Sequence, residues 1–385
     1  MNFRILKLIL LYLFIISLLF TVSICFSQTN TRTEINIPDI SGYITLKCDF
    51  HMHSVFSDGS VWPTVRVEEA WREGLDAISI TDHIEYLSHK TDIPLTDHNR
   101  SYEIAKTRAD ELGLILIKGA EITRDMPPGH FNAIFLNDIN PLDIEDWRDA
   151  FKAANEQGAF VFWNHPGWRQ VDEIPIWYDE HTELFENKVF RGIEIVNHYS
   201  YYSKAFQWAL DKKLTLIGNS DVHSPIHVTF DLAHGQHRPI TLVFAKEKSE
   251  PAIKEALLAR RTAVYFNKLL MGEEKFLKPI FKGSIEILNL NVSIKGSGRA
   301  NIQIHNQSDL IFELVSEKEI EEVSIPEGIK LYPDRTMLFQ IKGKSKSLSG
   351  KKKFSIPFVV ENLLIDPDKG LPVTLDIEIN FIPEP

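Results

Sequence analysis

The chain has 385 residues, 44% of them apolar and 25% charged, the make-up of a folded protein long enough for more than one domain. Lys and Arg number 42 against 53 Asp and Glu, a formal net charge of −11, and no long basic run interrupts the sequence. That balance argues against nucleic acid as a main partner.

The first residues, MNFRILK, precede an almost wholly apolar run, Leu8 to Phe26, and then Ser27-Gln28. A basic start, an apolar stretch and small residues near a break predict a secretory signal over residues 1–27, cleaved after Ser27, and hence a periplasmic or extracellular protein. At roughly 18 residues the apolar run is also long enough to stay as an uncleaved membrane anchor. Lipidation at Cys25 is a third option. Of the two cysteines, Cys25 lies in this leader, so the mature chain has no internal disulfide and Cys48 reads as a small apolar filler.

A polar linker, residues 28–42, leads into a strand over Ile44–Phe50. Alternation puts His51 and His53 on one face, and Ile44, Leu46, Cys48, Phe50 and Met52 on the other, towards whatever packs outside. Asp58 follows in a Ser-Asp-Gly turn. Pro63 opens a helix that Gly74 ends, and the strand Leu75–Thr81 delivers Asp82 and His83. A helix around Tyr102–Leu112 precedes the strands LILIKGAE and HFNAIFL, and IEDWRDAFKAANEQG is the next helix. Strands AFVFWNHPG and FRGIEIVN, helix SKAFQWALDKK, strands LTLIGNSDVH and ITLVFA, and helix EPAIKEALLARR complete the series. Repeated strand and helix predict a parallel α/β architecture over residues 43–275, and seven or eight units favour a TIM-like barrel over an open sheet. From residue 276 to 385 only short strands and turn residues remain, which predicts a small all-β sandwich of about 100 residues. The basic stretch Lys342–Lys353 reads as a solvated hairpin loop within it.

The strand ends carry the chemistry. His51, His53, His83, Glu121, His165, Asp221 and His223 close apolar runs, His130 opens one, and Asp58 sits in a turn. Six imidazoles and three carboxylates without a thiolate suit Zn, Mn or Fe. Nine such groups exceed one tetrahedral ion, so two to three ions with open positions are expected, the mark of a catalytic site. No Gly-rich phosphate loop or G-x-S-x-G elbow offers a rival.

Taken together, HMHSVFSDGS, TDH, GAEIT, GHFNAIF, NHPG and NSDVH, in order across roughly residues 43–270, resemble the successive motifs of the polymerase and histidinol phosphatase (PHP) superfamily. These are metal-dependent phosphoesterases on a distorted (β/α)7 barrel. The resemblance implies that His51, His53, Glu121 and Asp221 hold one ion, that Glu121 bridges to a second held by His130 and His165, and that Asp58, His83 and His223 hold a third. Asp58 stands where some members have His. The implied reaction is attack of metal-bound hydroxide on the phosphate monoester of a small molecule, with no catalytic residue beyond the ligands. Hydrolysis of an ester, lactone or amide on the same site is the alternative, and a metal-containing binding protein a more distant one. Asp82, of opposite strand parity to His83, is expected to support a ligand rather than to be one. Arg169, Arg238 and His237 lie in loops that could reach the mouth and grip a phosphate. Asn164 and Asn219 either orient ligands or finish their strands.

Overall fold

The computed structural model describes residues 11–14, 31–94, 96–316 and 319–384. The expected signal over residues 1–27, Cys25 included, falls outside these except for residues 11–14. Among the described residues no helix is long and apolar enough to cross a membrane.

The first part of the chain lays down β1 (Ile44–Asp49), β2 (Ala77–Ile78), β3 (Ile115–Leu116), β4 (Gly119–Ile122), β5 (Phe131–Ile134), β6 (Phe160–Trp163), β7 (Gly192–Asn197), β8 (Ser200–Tyr201), β9 (Thr215–Asn219), β10 (Ile240–Ala245), β11 (Thr262–Phe266) and β12 (Leu269–Gly272). Helices fall between them where the sequence places them. Pro63–Arg72 starts on proline and stops before Gly74 at φ 87°. Trp147–Glu156 is capped by Asp146, which accepts from the Arg148 N–H at 2.9 Å. Asp179–Glu186 and Glu274–Ser284 are two helices the sequence pattern does not announce. The second runs across residue 276, where the domain boundary is expected.

The strands do not form one closed (β/α)7 ladder. β1, β2 and β3 are parallel neighbours, but β1 also pairs antiparallel with β10, and β10, β11 and β12 continue antiparallel. A second sheet runs β4, β5, β6 antiparallel, then β6, β7 and β9 parallel. Among the described residues, ladder pairing between the two sheets is limited to the single bridges His83 to Glu121 and Met52 to Val222. The segment LILIKGAE is accordingly two strands, one in each sheet. The change falls at Gly119, where a Cβ would lie 2.5 Å from Ser79 Oγ.

Leu46, Cys48 and Phe50 do not face an outer layer. They pack with Ile117, Phe160, Ile217 and Val243 from both sheets and with Ile253 and Leu257 of helix Glu250–Leu258, a cluster that fills the space the sheets share. Burial of the Cys48 thiol there pushes its pKa well up, so it is an apolar filler.

The C-terminal part is all β: β13 (Ile285–Ile287), β14 (Asn291–Lys295), β15 (Arg299–Asn306), β16 (Phe312–Ser316), β17 (Val323–Ser324), β18 (Gly328–Leu331), β19 (Arg335–Gly343), β20 (Gly350–Asp366) and β21 (Lys369–Ile382). One sheet, β13-β15-β19-β17, packs on the other through contacts such as Phe339 on Phe358, 5.7 Å between ring centres. The Lys342–Lys353 stretch is only partly loop, since Lys342 lies in β19 and Lys351 to Lys353 open β20. β20 also pairs parallel with β12, Leu363 beside Leu270, so one sheet runs from the first part of the chain into the second.

Candidate metal centre

Backbone hydrogen bonds bring the strand ends together. His53 N–H donates to Val222 O at 3.0 Å and Asp221 N–H to His51 O at 2.9 Å, which ties the ends of β1 and β9. Asp82 accepts from Ser54 N–H and Ser54 Oγ, both at 2.7 Å, and from Ser57 Oγ at 2.8 Å. It therefore fixes the turn after His53 and holds Ser57 Oγ 3.4 Å from His53 Nδ1. His165 and Asp221, each just past a strand, adopt left-handed backbone, φ 25° and 49°, uncommon for side-chain-bearing residues.

All nine residues singled out in the sequence converge. Asp221 Oδ1 lies 3.2 Å from His51 Nε2 and 3.0 Å from His53 Nε2, and Glu121 Oε2 lies 3.5 and 3.4 Å from the same nitrogens. The nitrogens themselves are 3.1 Å apart. Ligands bonded at about 2.0–2.1 Å to one tetrahedral ion stand about 3.3 Å apart, so each carboxyl oxygen keeps roughly that spacing from both nitrogens; His51, His53 and Glu121 form one candidate group, and His51, His165 and Asp221 another. The other carboxyl oxygen, Glu121 Oε1, stands 3.0 Å from His130 Nδ1 and 3.4 Å from His165 Nε2. Asp58 Oδ1 is 3.3 Å from His223 Nε2, 3.6 Å from His83 Nε2 and 3.8 Å from His53 Nδ1. His83 is shared, because its Nδ1 also sits 2.8 Å from Glu121 Oε2 and 2.6 Å from Thr123 Oγ1.

Two observations say that the set fits cations. Glu121 Oε2 is fully buried and makes no hydrogen bond of proper geometry, although imidazoles surround it. An orphaned buried carboxyl oxygen is costly unless an ion meets it. His51 Nδ1 faces Glu194 Oε1 at 2.9 Å, which can only accept, so a ring proton is on Nδ1 and Nε2 is the nitrogen turned to His53 and Asp221. Charge follows the same logic. Burial works against ionising Glu121 and Asp221, yet the imidazoles of His83 and His51 hold Glu121, and His51 and His53 hold Asp221, well below the usual carboxylate range. Burial, with His223 and His83 stacked at 4.2 and 4.4 Å, drives His53 down to about 3. Burial also works against charging His83, but Glu121 and Asp58 outweigh it and push His83 up to about 10.

Sequence reasoning misses Glu194. It is fully buried in β7 and accepts four hydrogen bonds, from His51 Nδ1, Asn219 Nδ2 at 2.9 Å, His165 N–H at 2.7 Å and Asn197 Nδ2 at 2.8 Å. The available signal was an acid between isoleucines in GIEIVN. Asn164 and Asn219 do more than finish strands. Asn164 Nδ2 donates to Glu121 Oε1 at 2.8 Å, and Asn219 bridges Phe50 N–H to Glu194.

Two of the proposed phosphate-gripping residues are elsewhere. Arg238 is fully buried and paired with Asp49 at 3.0 Å and Glu73 at 2.6 Å, so its charge is already neutralised in the fold. His237 stacks on Tyr265 and borders a separate cavity lined by Ile35, Leu75 and Leu232. Arg169 does reach the mouth, lying over Trp168 at 4.2 Å and 3.4 Å from Asp125. The cluster opens into a cavity of about 720 Å³ bordered by Tyr86, Arg124, Trp168, Arg169, Glu173 and Tyr202. Trp168 packs on the ligand-type ring of His130 at 4.3 Å.

A mixed α/β domain that gathers buried imidazoles and carboxylates, without thiolate, at the floor of an open cavity defines a metal-dependent hydrolase. Known proteins agree. The chain is 48% identical to a crystal structure of a two-domain protein containing a predicted PHP-like metal-dependent phosphoesterase from Bacteroides vulgatus, covering 90% of this chain and 99% of that one with a TM-score of 0.84. The chain belongs to the PHP-like metal-dependent phosphoesterases. It is also 37% identical over 199 residues to an uncharacterized protein of Methanocaldococcus jannaschii, 47% of this chain and 83% of that one. A 5'-3' exoribonuclease of Haemophilus influenzae is 30% identical over 160 residues, 41% of this chain, and the match spans only 51% of that protein's length. Residues 285–376 match a family described as an Ig-like domain.

Proposed function

We propose that the protein is an exported phosphoesterase that hydrolyses phosphate monoesters of small molecules with two to three Zn, Mn or Fe ions. The observation that carries this reading is the set His51, His53, Glu121 and Asp221, in which each carboxyl oxygen stands 3.0–3.5 Å from both imidazole nitrogens and one of them, Glu121 Oε2, is buried with no hydrogen bond. His51, His53, Glu121 and Asp221 would hold one ion, Glu121, His130 and His165 a second, and Asp58, His83 and His223 a third. Such ions, when bound, supply a strong nucleophile from water at neutral pH and neutralise charge on the phosphoryl oxygens. The chain's own part is orientation. Glu194 fixes the His51 tautomer, Asn164 holds Glu121, and Asp82 acting through Ser57 steadies His53. Arg169, on its Trp168 support, is placed to meet a substrate oxygen at the mouth.

On this reading the two sheets, bridged at His83 and Met52, are a distorted barrel open at its seams. Residues 1–27 are a cleaved signal, and the hydrolase domain starts near residue 43. Elemental analysis of protein purified without chelator, beside a screen of phosphomonoesters and phosphodiesters on the same sample, tests the proposal. Two to three metals per chain with monoester turnover is the expected result. Metals without phosphatase turnover would overturn the phosphate reading and favour an ester, lactone or amide substrate.

A further inference from the structure

The cavity above the metal cluster has two unlike walls. On one, both guanidinium groups are engaged by carboxylates, Arg124 with Glu85 and Arg169 with Asp125, and Arg124 also donates to Ile144 O at 2.7 Å. On the other stand Glu173, Asn197, Ser200 and Tyr202. Ser200 Oγ donates to Glu173 Oε2 at 2.7 Å, and Asn197 turns its amide nitrogen inward onto Glu194 at 2.8 Å. That engages the Ser200 hydroxyl and one Asn197 N–H, and the Tyr202 hydroxyl sits against Ser200. The acceptors this wall keeps for the cavity are the second oxygen of Glu173 and the carbonyl oxygen of Asn197. The wall is also fixed in place, because Glu173 packs its backbone against Gly167, where a Cβ would lie 2.1 Å from Glu173 O, two residues beyond His165.

An acceptor wall carrying a carboxylate repels a second anionic group and matches a leaving group rich in hydroxyl donors. Of the aromatic rings at the cavity, Trp168 is occupied by Arg169 and His130, and Tyr86 stands across from it against His83. We infer that the substrate is the phosphate monoester of a polyhydroxylated compound, a sugar phosphate, held through its hydroxyl groups by Glu173 and Asn197. The inference rests on the phosphoesterase reading and narrows it.

The test compares glucose 6-phosphate, p-nitrophenyl phosphate, adenosine 5'-monophosphate and a 5'-phosphorylated oligoribonucleotide on the metal-loaded full chain. Calorimetric titration of glucose 6-phosphate into the same protein gives a readout apart from turnover. Glucose 6-phosphate should have the highest kcat/KM. A hydrogen bond to a charged group is worth about ten- to a hundredfold, so Glu173→Ala should raise KM and Kd for glucose 6-phosphate by about that factor and leave KM for p-nitrophenyl phosphate unchanged. Glu173→Gln, which keeps an acceptor oxygen, should recover part of the loss. Unchanged thermal stability of both variants separates this from misfolding, and Ser200→Ala, expected to weaken glucose 6-phosphate binding less, is the second variant should either fail to fold. Preference for the nucleotide or oligoribonucleotide, or an equal effect of Glu173→Ala on p-nitrophenyl phosphate, would overturn the sugar inference while the phosphoesterase reading stands. No turnover of any of the four would overturn both.

Discussion

Replacing Glu194 by Gln changes one atom in a fully buried side chain and tests whether the centre is organised as described. All four neighbours of Glu194 donate, two to each oxygen. A Gln amide must therefore turn its NH2 towards two donors, whichever way it is flipped. If it faces His51 and Asn219, the His51 ring loses its partner and the tautomer that aims Nε2 at the metal. If it faces His165 N–H and Asn197, the turn carrying His165 loses its anchor. Each unsatisfied buried donor costs about 1–3 kcal/mol. Loss of an outer partner of a metal-binding His typically costs 10–100-fold in affinity, about 1.4–2.7 kcal/mol. The assay is competition for the bound metal by a chelator, followed by elemental analysis, for wild type and Glu194→Gln side by side. Half-loss of metal should occur at 10–100-fold lower chelator in the variant, with turnover falling in step. A variant that keeps its metal like the wild type would show that His51 is not oriented through Glu194, and the reading of Nε2 as the metal-facing nitrogen would fall with it.

Three further outcomes are expected. Glu121→Gln and His165→Ala should each lose metal and turnover together in elemental analysis and a phosphomonoester assay, and full metal retention with activity lost would mean those two residues are not ligands. Arg238→Met leaves Asp49 and Glu73 without their buried counter-charge and should lower urea stability by about 3–5 kcal/mol; a change under about 1 kcal/mol would show that the pair is solvated. Burial, only partly offset by the Pro128 carbonyl, takes His181 down to about 4, and the neutral ring accepts from Tyr178 N–H and donates to Pro128 O. Since the folded form resists protonation, its contribution is complete above about pH 6.5 and is lost as the pH falls towards 4, about 3 kcal/mol in all. His181→Gln, which can make both bonds and does not titrate, should unfold with a shallower acid dependence across that window, and parallel curves for the two proteins would refute the assignment.

How much was legible in advance depended on the range of the interactions. The nine residues that meet in the centre could be found because eight put a metal-binding atom at the start or close of an apolar run and the ninth, Asp58, sits in the turn just beyond the first, a local pattern. Sheet membership could not be read. LILIKGAE has the same alternation whether it is one strand or two, and only pairing with Ala77 on one side and Ala133 on the other divides it. Arg238 looked available for phosphate because it follows a polar loop. Its partners lie 189 and 165 residues away in sequence, beyond the reach of any local pattern. Glu194 was passed over for the opposite reason, since a lone acid in a strand usually marks a solvated face. Ile44 to Phe50 alternates as expected, but which face is inner depends on the second sheet.

The pairing of β12 with β20 has a practical consequence for anyone wishing to shorten the protein. β12 reads Leu-Leu-Met-Gly and is covered on one side by β11 and on the other by β20. A chain cut at the helix Glu274–Ser284 would expose that apolar segment as a bare edge, a template for pairing with another copy. The hydrolase half, cut free, should therefore aggregate unless the severed edge is capped with charge or supplied again as a separate Ig-like fragment.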